Sequence, residues 1–76
     1  RKMEVYTDLP GMQLYGGNYI NNGLIGKGGC TYGKRYGVAF ETQYFPNAIN
    51  IPSFPQPVEK AGELTKTTTT YKFTTV

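Results

Sequence analysis

The sequence has 76 residues, enough for one small domain, and its net charge of +3 is too small to indicate a nucleic-acid partner. A single cysteine, Cys30, excludes an internal disulfide, and the lack of histidine and of paired cysteines argues against a metal site or a bound cofactor. No apolar run approaches the ~18 residues of a membrane span, so no membrane partner is expected. The lone thiol fits a reducing, cytoplasmic location.

Two short strands are predicted at the start of the chain. Residues 3–8 are rich in β-branched and aromatic side chains, and they stop at Pro10 and Gly11. In the strand that follows, Gln13 faces one side, whereas Met12 and Leu14 face the other. The chain begins inside a strand pattern, so we expect it to be part of a longer polypeptide.

A glycine-rich segment, residues 21–33, is predicted to be a flexible connection between strands. Gly28, Gly33 and Lys34 have the spacing of a phosphate-binding loop. That loop also requires a serine or threonine next, to hold magnesium, and then a helix, whereas this chain has Arg35 followed by a strand pattern. We therefore interpret the basic residues here as solvated surface charges.

The central strand is predicted over residues 36–45 and ends at Pro46. Alternation along the strand places Val38 and Phe40 on one face, which this apolar pair marks as the core side. The opposite face carries two small residues, then a carboxylate and an amide: Gly37, Ala39, Glu41 and Gln43. Small residues would leave a recess beside Glu41, where a polar ligand such as a sugar could become its partner.

The last third of the chain contains no helical pattern. Four prolines within residues 46–57 favour an extended, polyproline-like chain, a polar turn follows at 59–63, and residues 67–73 form a final strand. If its edge stays unpaired, this threonine-rich strand would let the chain oligomerise through open sheet edges. The sequence thus predicts an all-β fold of four or five strands, too small to bury much of a core alone.

These segments, in order and spacing, resemble the C-terminal part of the aldose 1-epimerase (galactose mutarotase) family. The most specific part is the run Glu-Thr-Gln-Tyr-Phe-Pro that begins at Glu41. The resemblance covers nearly the whole chain and is carried by residues 5–18 (VYTDLPGMQLYGGN), 26–29 (GKGG), 36–50 (YGVAFETQYFPNAIN), 61–63 (AGE) and 70–73 (TYKF).

The resemblance implies a fold, an activity and a site. Residues 1–76 would be the C-terminal portion of one galactose-mutarotase-like β-sandwich domain of antiparallel strands, whose missing N-terminal part is its partner. The activity would be that of an isomerase that interconverts the α and β anomers of hexoses such as galactose and glucose, without a cofactor. Glu41 corresponds to the family's general base, and Gln13 corresponds to its sugar-binding glutamine.

The chemistry of mutarotation needs an acid as well as a base. A base removes the proton of the anomeric hydroxyl while an acid protonates the ring oxygen, so that the ring opens and can close on either face. In the family, the general-acid histidine, a second histidine, an arginine and an aspartate all precede this region. Because this chain has no histidine, we expect the 76 residues alone to be inactive.

Three other interpretations are compatible with the sequence. The protein could be a non-catalytic carbohydrate-binding module, which would bind sugar without exchanging its anomers. It could be a structural fragment that oligomerises and has no chemical role. It could also be a small basic RNA-binding protein with seven tyrosines, but no motif interleaves its basic and aromatic residues.

Overall fold

A computed structural model describes all of residues 1–76 and shows an all-β chain built from antiparallel strand pairs. The only helical segments are two three-residue 3-10 turns, Lys27–Gly29 and Ala48–Asn50, and neither could cross a membrane. The predicted all-β, antiparallel class is therefore confirmed, with six strands in place of four or five. In chain order the strands are β1 (Lys2–Thr7), β2 (Gly11–Tyr15), β3 (Leu24–Ile25), β4 (Thr31–Tyr32), β5 (Ala39–Gln43) and β6 (Thr69–Thr74).

The first and last strands pair with each other. Strand β1 runs antiparallel to β6, from Lys2 opposite Thr74 to Thr7 opposite Thr69. At the end of the pair, both carboxylate oxygens of Asp8 accept the backbone N–H of Thr68, at 3.0 and 3.1 Å. These hydrogen bonds fix the point where the last strand begins. The sheet contains only β1 and β6, so β6 is paired on one side.

Strand β2 pairs with β5, and two hydrogen bonds connect this pair to β6. The hydroxyls of Thr42 and Thr69 are 2.7 Å apart and partly buried. The Tyr71 hydroxyl donates to the carbonyl oxygen of Phe40 at 2.9 Å. These contacts hold β5 beside β6, and an apolar cavity of about 550 Å³ lies there, lined by Met3, Val38, Ala39, Phe40, Tyr71 and Phe73.

The glycine-rich segment, predicted as a connection between strands, itself contains a short hairpin. In strands β3 and β4, Leu24 lies opposite Tyr32 and Ile25 lies opposite Thr31. The 3-10 turn Lys27–Gly29 joins the two strands. Gly28 has a φ of 66°, a value that favours glycine. A Cβ at Gly26 would overlap the ring of Tyr32. The glycines therefore permit a tight turn and close packing.

The proline-rich segment turns, so the prediction of an extended chain over residues 46–57 was also wrong. Asn47 adopts a left-handed φ of 60° and leads into the 3-10 turn Ala48–Asn50. The side-chain amide of Gln56 donates to three backbone carbonyl oxygens, those of Ala48, Ile51 and Phe54, at 2.8 to 3.0 Å. Asparagine tolerates the left-handed region, and the glutamine supplies backbone partners that the prolines cannot provide.

Little of the apolar surface is covered within these 76 residues. Ala48, at 2% exposure, is the one buried apolar side chain. The central strand is shorter than the predicted 36–45, because β5 covers only Ala39–Gln43. Of the two predicted core residues, Phe40 lies on β5 and is half-buried, whereas Val38 precedes the strand and is exposed. Leu14 and Phe73 are 58% and 74% exposed, so apolar side chains on both strand pairs still face outward.

Candidate functional site

Gln13 and Glu41 lie directly opposite each other in the β2–β5 pair. Directly opposed residues in an antiparallel pair have Cβ atoms about 4.5–5.5 Å apart and project from the same face. The two residues that the family resemblance singles out, from distant parts of the sequence, are therefore neighbours. Both are positioned by the same ladder of backbone hydrogen bonds.

The register of this pair separates a polar face from an apolar one. Tyr15 opposes Ala39 and Gly11 opposes Gln43, so these four residues share the face of Gln13 and Glu41. The other face carries Met12, Leu14, Phe40 and Thr42. The alternation read from each strand separately is thus retained, and the pairing brings the two polar faces together.

The Glu41 carboxylate has no partner within the chain. Its side chain is exposed, and no hydrogen bond or ion pair reaches it, since the two ion pairs present join Lys2 and Lys72 to Glu4. Gln13 is also exposed, and its amide nitrogen donates to the carbonyl oxygen of the adjacent Leu14 at 3.1 Å. The Gln13 amide oxygen and both Glu41 oxygens are therefore available to a ligand.

A recess lies at the end of the strand pair where Tyr15 opposes Ala39, one side-chain repeat away from Gln13 and Glu41. It has a volume of about 250 Å³ and is lined by Tyr15, Gly17, Ile20, Gly37, Val38 and Ala39. The small residues that precede Glu41 do line an opening, but neither Gln13 nor Glu41 belongs to its lining. Its volume is below the roughly 300–1,000 Å³ of typical ligand sites. A complete sugar site would need further walls.

Aromatic side chains stand on both sides of the Gln13–Glu41 pair. Tyr15 stacks on Tyr19, with ring centroids 6.4 Å apart and planes 9° apart, and its hydroxyl accepts the backbone N–H of Tyr19. Phe45 lies at the other end, edge-to-face with Phe54 at 5.0 Å. Phe45 is not among the site residues predicted from the sequence. Gly11, two residues before Gln13, was the signal that a ring could approach there.

The structure contains no cluster of three or more histidine, cysteine, aspartate or glutamate side chains that could hold a metal ion. The free cysteine, Cys30, is exposed at the end of the 3-10 turn between β3 and β4, away from the β2–β5 pair in sequence. The polar groups on the face of Gln13 and Glu41 are the Glu41 carboxylate, the Gln13 and Gln43 amides and the Tyr15 hydroxyl.

The family profile and the similar curated proteins indicate the same family. The sequence profile of the family described as "Aldose 1-epimerase" matches residues 1–72. Galactose mutarotase of Bos taurus is 47% identical over 73 residues, and that of Homo sapiens is 45% identical over 73 residues; each alignment covers 96% of this chain and 21% of the relative. Aldose 1-epimerase of Escherichia coli (strain K12) is 34% identical over 74 residues, which cover 95% of this chain and 21% of that protein.

The chain therefore spans about a fifth of the length of the curated relatives it matches. No solved structure matches it.

Proposed function

The chain belongs to the aldose 1-epimerase family, and on that premise we propose that it supplies the base and one sugar ligand of a mutarotase. Glu41 would be the general base and Gln13 would bind the sugar. The observation that carries the proposal is their direct opposition across β2 and β5, which presents a carboxylate and an amide to one ligand.

Glu41 has the properties that the base role requires. A carboxylate can take the proton of the anomeric hydroxyl as the ring opens, and return it to the same oxygen when the ring closes after rotation about the C1–C2 bond. Its oxygens have no partner within the chain, so no internal contact must break before a hydroxyl can bind. A general base typically contributes a factor of about 10²–10⁴ to the rate.

Gln13 would orient the sugar beside the base. Its amide carries both donors and an acceptor, and a sugar hydroxyl can use either. Because it shares a face with Glu41 at directly opposed positions, one sugar can contact both side chains. The Leu14 carbonyl restrains the amide nitrogen at 3.1 Å, which leaves the amide oxygen for a hydroxyl donor.

The remaining parts of the reaction would come from outside residues 1–76. The chain has no histidine, and no other proton donor contacts Glu41. We propose that residues 1–76 are one portion of a larger β-sandwich domain, whose other strands provide the acid and complete the pocket. The apolar cavity of about 550 Å³ and the 74% exposure of Phe73 support this, because both offer surface for further strands to cover.

The substrates would be free hexoses. The name of the mammalian relatives, galactose mutarotase, supports α- and β-galactose, and the name of the bacterial relative supports aldoses more broadly. The polar face fits this chemical class, since it offers hydrogen-bonding groups between aromatic side chains.

A chimera tests this proposal. The chain would replace the matching segment of the Bos taurus galactose mutarotase, and polarimetry of fresh α-D-galactose would measure anomer exchange above the spontaneous rate. We expect exchange in the chimera and a loss of about 10²–10⁴-fold in its Glu41→Gln variant. Glu59→Gln makes the same chemical change outside the strands and should leave the rate unchanged.

Two results would contradict the proposal. One is a folded chimera that binds galactose but does not exchange its anomers, which would indicate a carbohydrate-binding module. The other is full activity in the Glu41→Gln variant, which would remove Glu41 from the role of base. Circular dichroism and thermal unfolding establish that each variant is folded.

A further inference from the structure

The ring of Phe45 lies on the Gln13–Glu41 face, directly over Gly11. A Cβ built on Gly11 would lie 2.7 Å from two carbons of this ring, Cδ1 and Cε1. Gly11 and Gln13 are two residues apart on β2, so their side-chain positions share one face and are separated by about 7 Å along the strand. The ring therefore borders the carboxylate–amide pair.

The Phe45 ring packs against a second aromatic ring. Phe54 contacts Phe45 edge-to-face, with centroids 5.0 Å apart and planes 62° apart. The position of Phe54 is fixed in turn, because its N–H donates to Ile51 and its carbonyl accepts the amide of Gln56, both at 3.0 Å. Phe45 itself is 36% exposed, so part of the ring remains free to touch a ligand.

The aromatic side chain at the other end of the pair is already engaged. Tyr15 lies two residues beyond Gln13 on the same face, but it stacks on Tyr19, and its hydroxyl accepts the Tyr19 N–H at 2.8 Å. Phe45, by contrast, carries no hydroxyl and has no stacked partner, because its contact with Phe54 is edge-to-face. It is thus the better candidate for contact with the apolar C–H groups of a sugar.

We propose that the aromatic ring of Phe45 forms a wall of the sugar site and helps to determine affinity for the pyranose ring. This inference rests on the proposed function. A pyranose has C–H faces as well as hydroxyls, and an aromatic ring buries those C–H groups while Glu41 and Gln13 engage the hydroxyls. Gly11 is required because any side chain there would displace the wall.

Substitutions in the chimera described above test the wall. Phe45→Ala should raise KM for α-D-galactose about 3–10-fold, with kcat within about twofold, because the contact would stabilise the ground state and transition state equally. Phe45→Tyr keeps the ring and should retain the parent KM. Gly11→Ala pushes the ring aside and should raise KM in the same direction. Gly16→Ala, whose new Cβ would meet nothing within 4 Å, is the matched control and should leave KM unchanged.

The outcomes separate this inference from the proposed function. An active parent that loses activity with Glu41→Gln, but has an unchanged KM with Phe45→Ala, would overturn the wall and leave the base in place. Equal losses in Phe45→Tyr and Phe45→Ala would also overturn it, because a ring would then be irrelevant. If Phe45→Ala does not fold, Phe45→Leu preserves the bulk without the flat ring, and an unchanged KM in that variant would overturn the wall as well.

Discussion

Gln13 and Glu41 face each other across the antiparallel pair of β2 and β5, so an amide and a carboxylate leave the same side of the sheet at neighbouring positions. Neither strand alone contains both groups. Their proximity depends on the register, and a shift of one residue would turn one of them to the opposite face. The register is therefore what creates a polar site here.

Loss of the Gln13 amide should weaken sugar binding. In the chimera, Gln13→Ala removes one or two neutral hydrogen bonds, and we expect KM for galactose to rise about 2–10-fold with a smaller change in kcat. Initial rates by polarimetry over a range of sugar concentrations measure both constants. Asn21→Ala removes an exposed amide outside the strands and should leave KM as it was; an unchanged KM in Gln13→Ala would contradict the sugar-ligand role.

The 76-residue chain by itself should not accelerate mutarotation. It has a carboxylate without an opposing acid, and absence of general acid catalysis alone costs about 10²–10⁴-fold. Polarimetry of fresh α-D-glucose with the purified chain should follow the rate in buffer, while the Bos taurus enzyme at equal concentration serves as the positive control. Catalysis by the purified chain would show that residues 1–76 contain a proton donor not identified above.

Gly26→Ala should destabilise the β3–β4 hairpin. The new methyl group would overlap the Tyr32 ring, which must then move away, and we expect the free energy of unfolding to fall by about 1–3 kcal/mol. Urea unfolding of the chimera measures this change. Gly16→Ala enters open space and should change the free energy by less than about 0.5 kcal/mol. Equal effects of the two substitutions would mean that Tyr32 does not pack on Gly26.

Substitutions at Thr42 and Thr69 should have coupled effects on the free energy of unfolding, because the two hydroxyls connect β5 to β6. Thr69→Val leaves the Thr42 hydroxyl without its partner, and Thr42→Val leaves the Thr69 hydroxyl with only its longer contact to the Thr7 hydroxyl, at 3.3 Å; each change should cost about 0.5–1.5 kcal/mol. The double variant removes both hydroxyls and should cost less than the sum of the two. A double-mutant cycle by urea unfolding of the chimera provides the measurement, with the exposed Thr70→Val as the control. Strict additivity would contradict a direct bond.

Local patterns in the sequence anticipated the strands at both ends of the chain. Alternating side chains and the stop at Pro10 predicted β1 and β2 within a residue or two, and the threonine-rich run predicted β6. The same alternation predicted that Glu41 and Phe40 lie on opposite faces of their strand. These features follow from the geometry of a single extended backbone, which is why neighbouring residues suffice to read them.

Local patterns did not anticipate the glycine-rich hairpin or the turn after Pro46. Both segments contain glycine or proline, residues that local patterns identify only as interruptions of regular structure. In the structure, Gly28 and Asn47 adopt left-handed conformations that allow turns, and the Gln56 side chain supplies the backbone partners of the second turn. Contacts made by residues farther along the chain decide whether such a segment is extended or turns.

The sequence by itself determined the all-β class, the polar and apolar faces of each strand and, through its motifs, the family. The tertiary structure decided that the first strand pairs with the last, that Gln13 opposes Glu41 and that the Phe45 ring lies over Gly11. The physical reason is the range of the interactions. The face on which a side chain lies depends on successive residues of one strand. The pairing of strands, their register and the contact of the Phe45 ring with Gly11 arise between residues far apart in the chain, and no local periodicity encodes them.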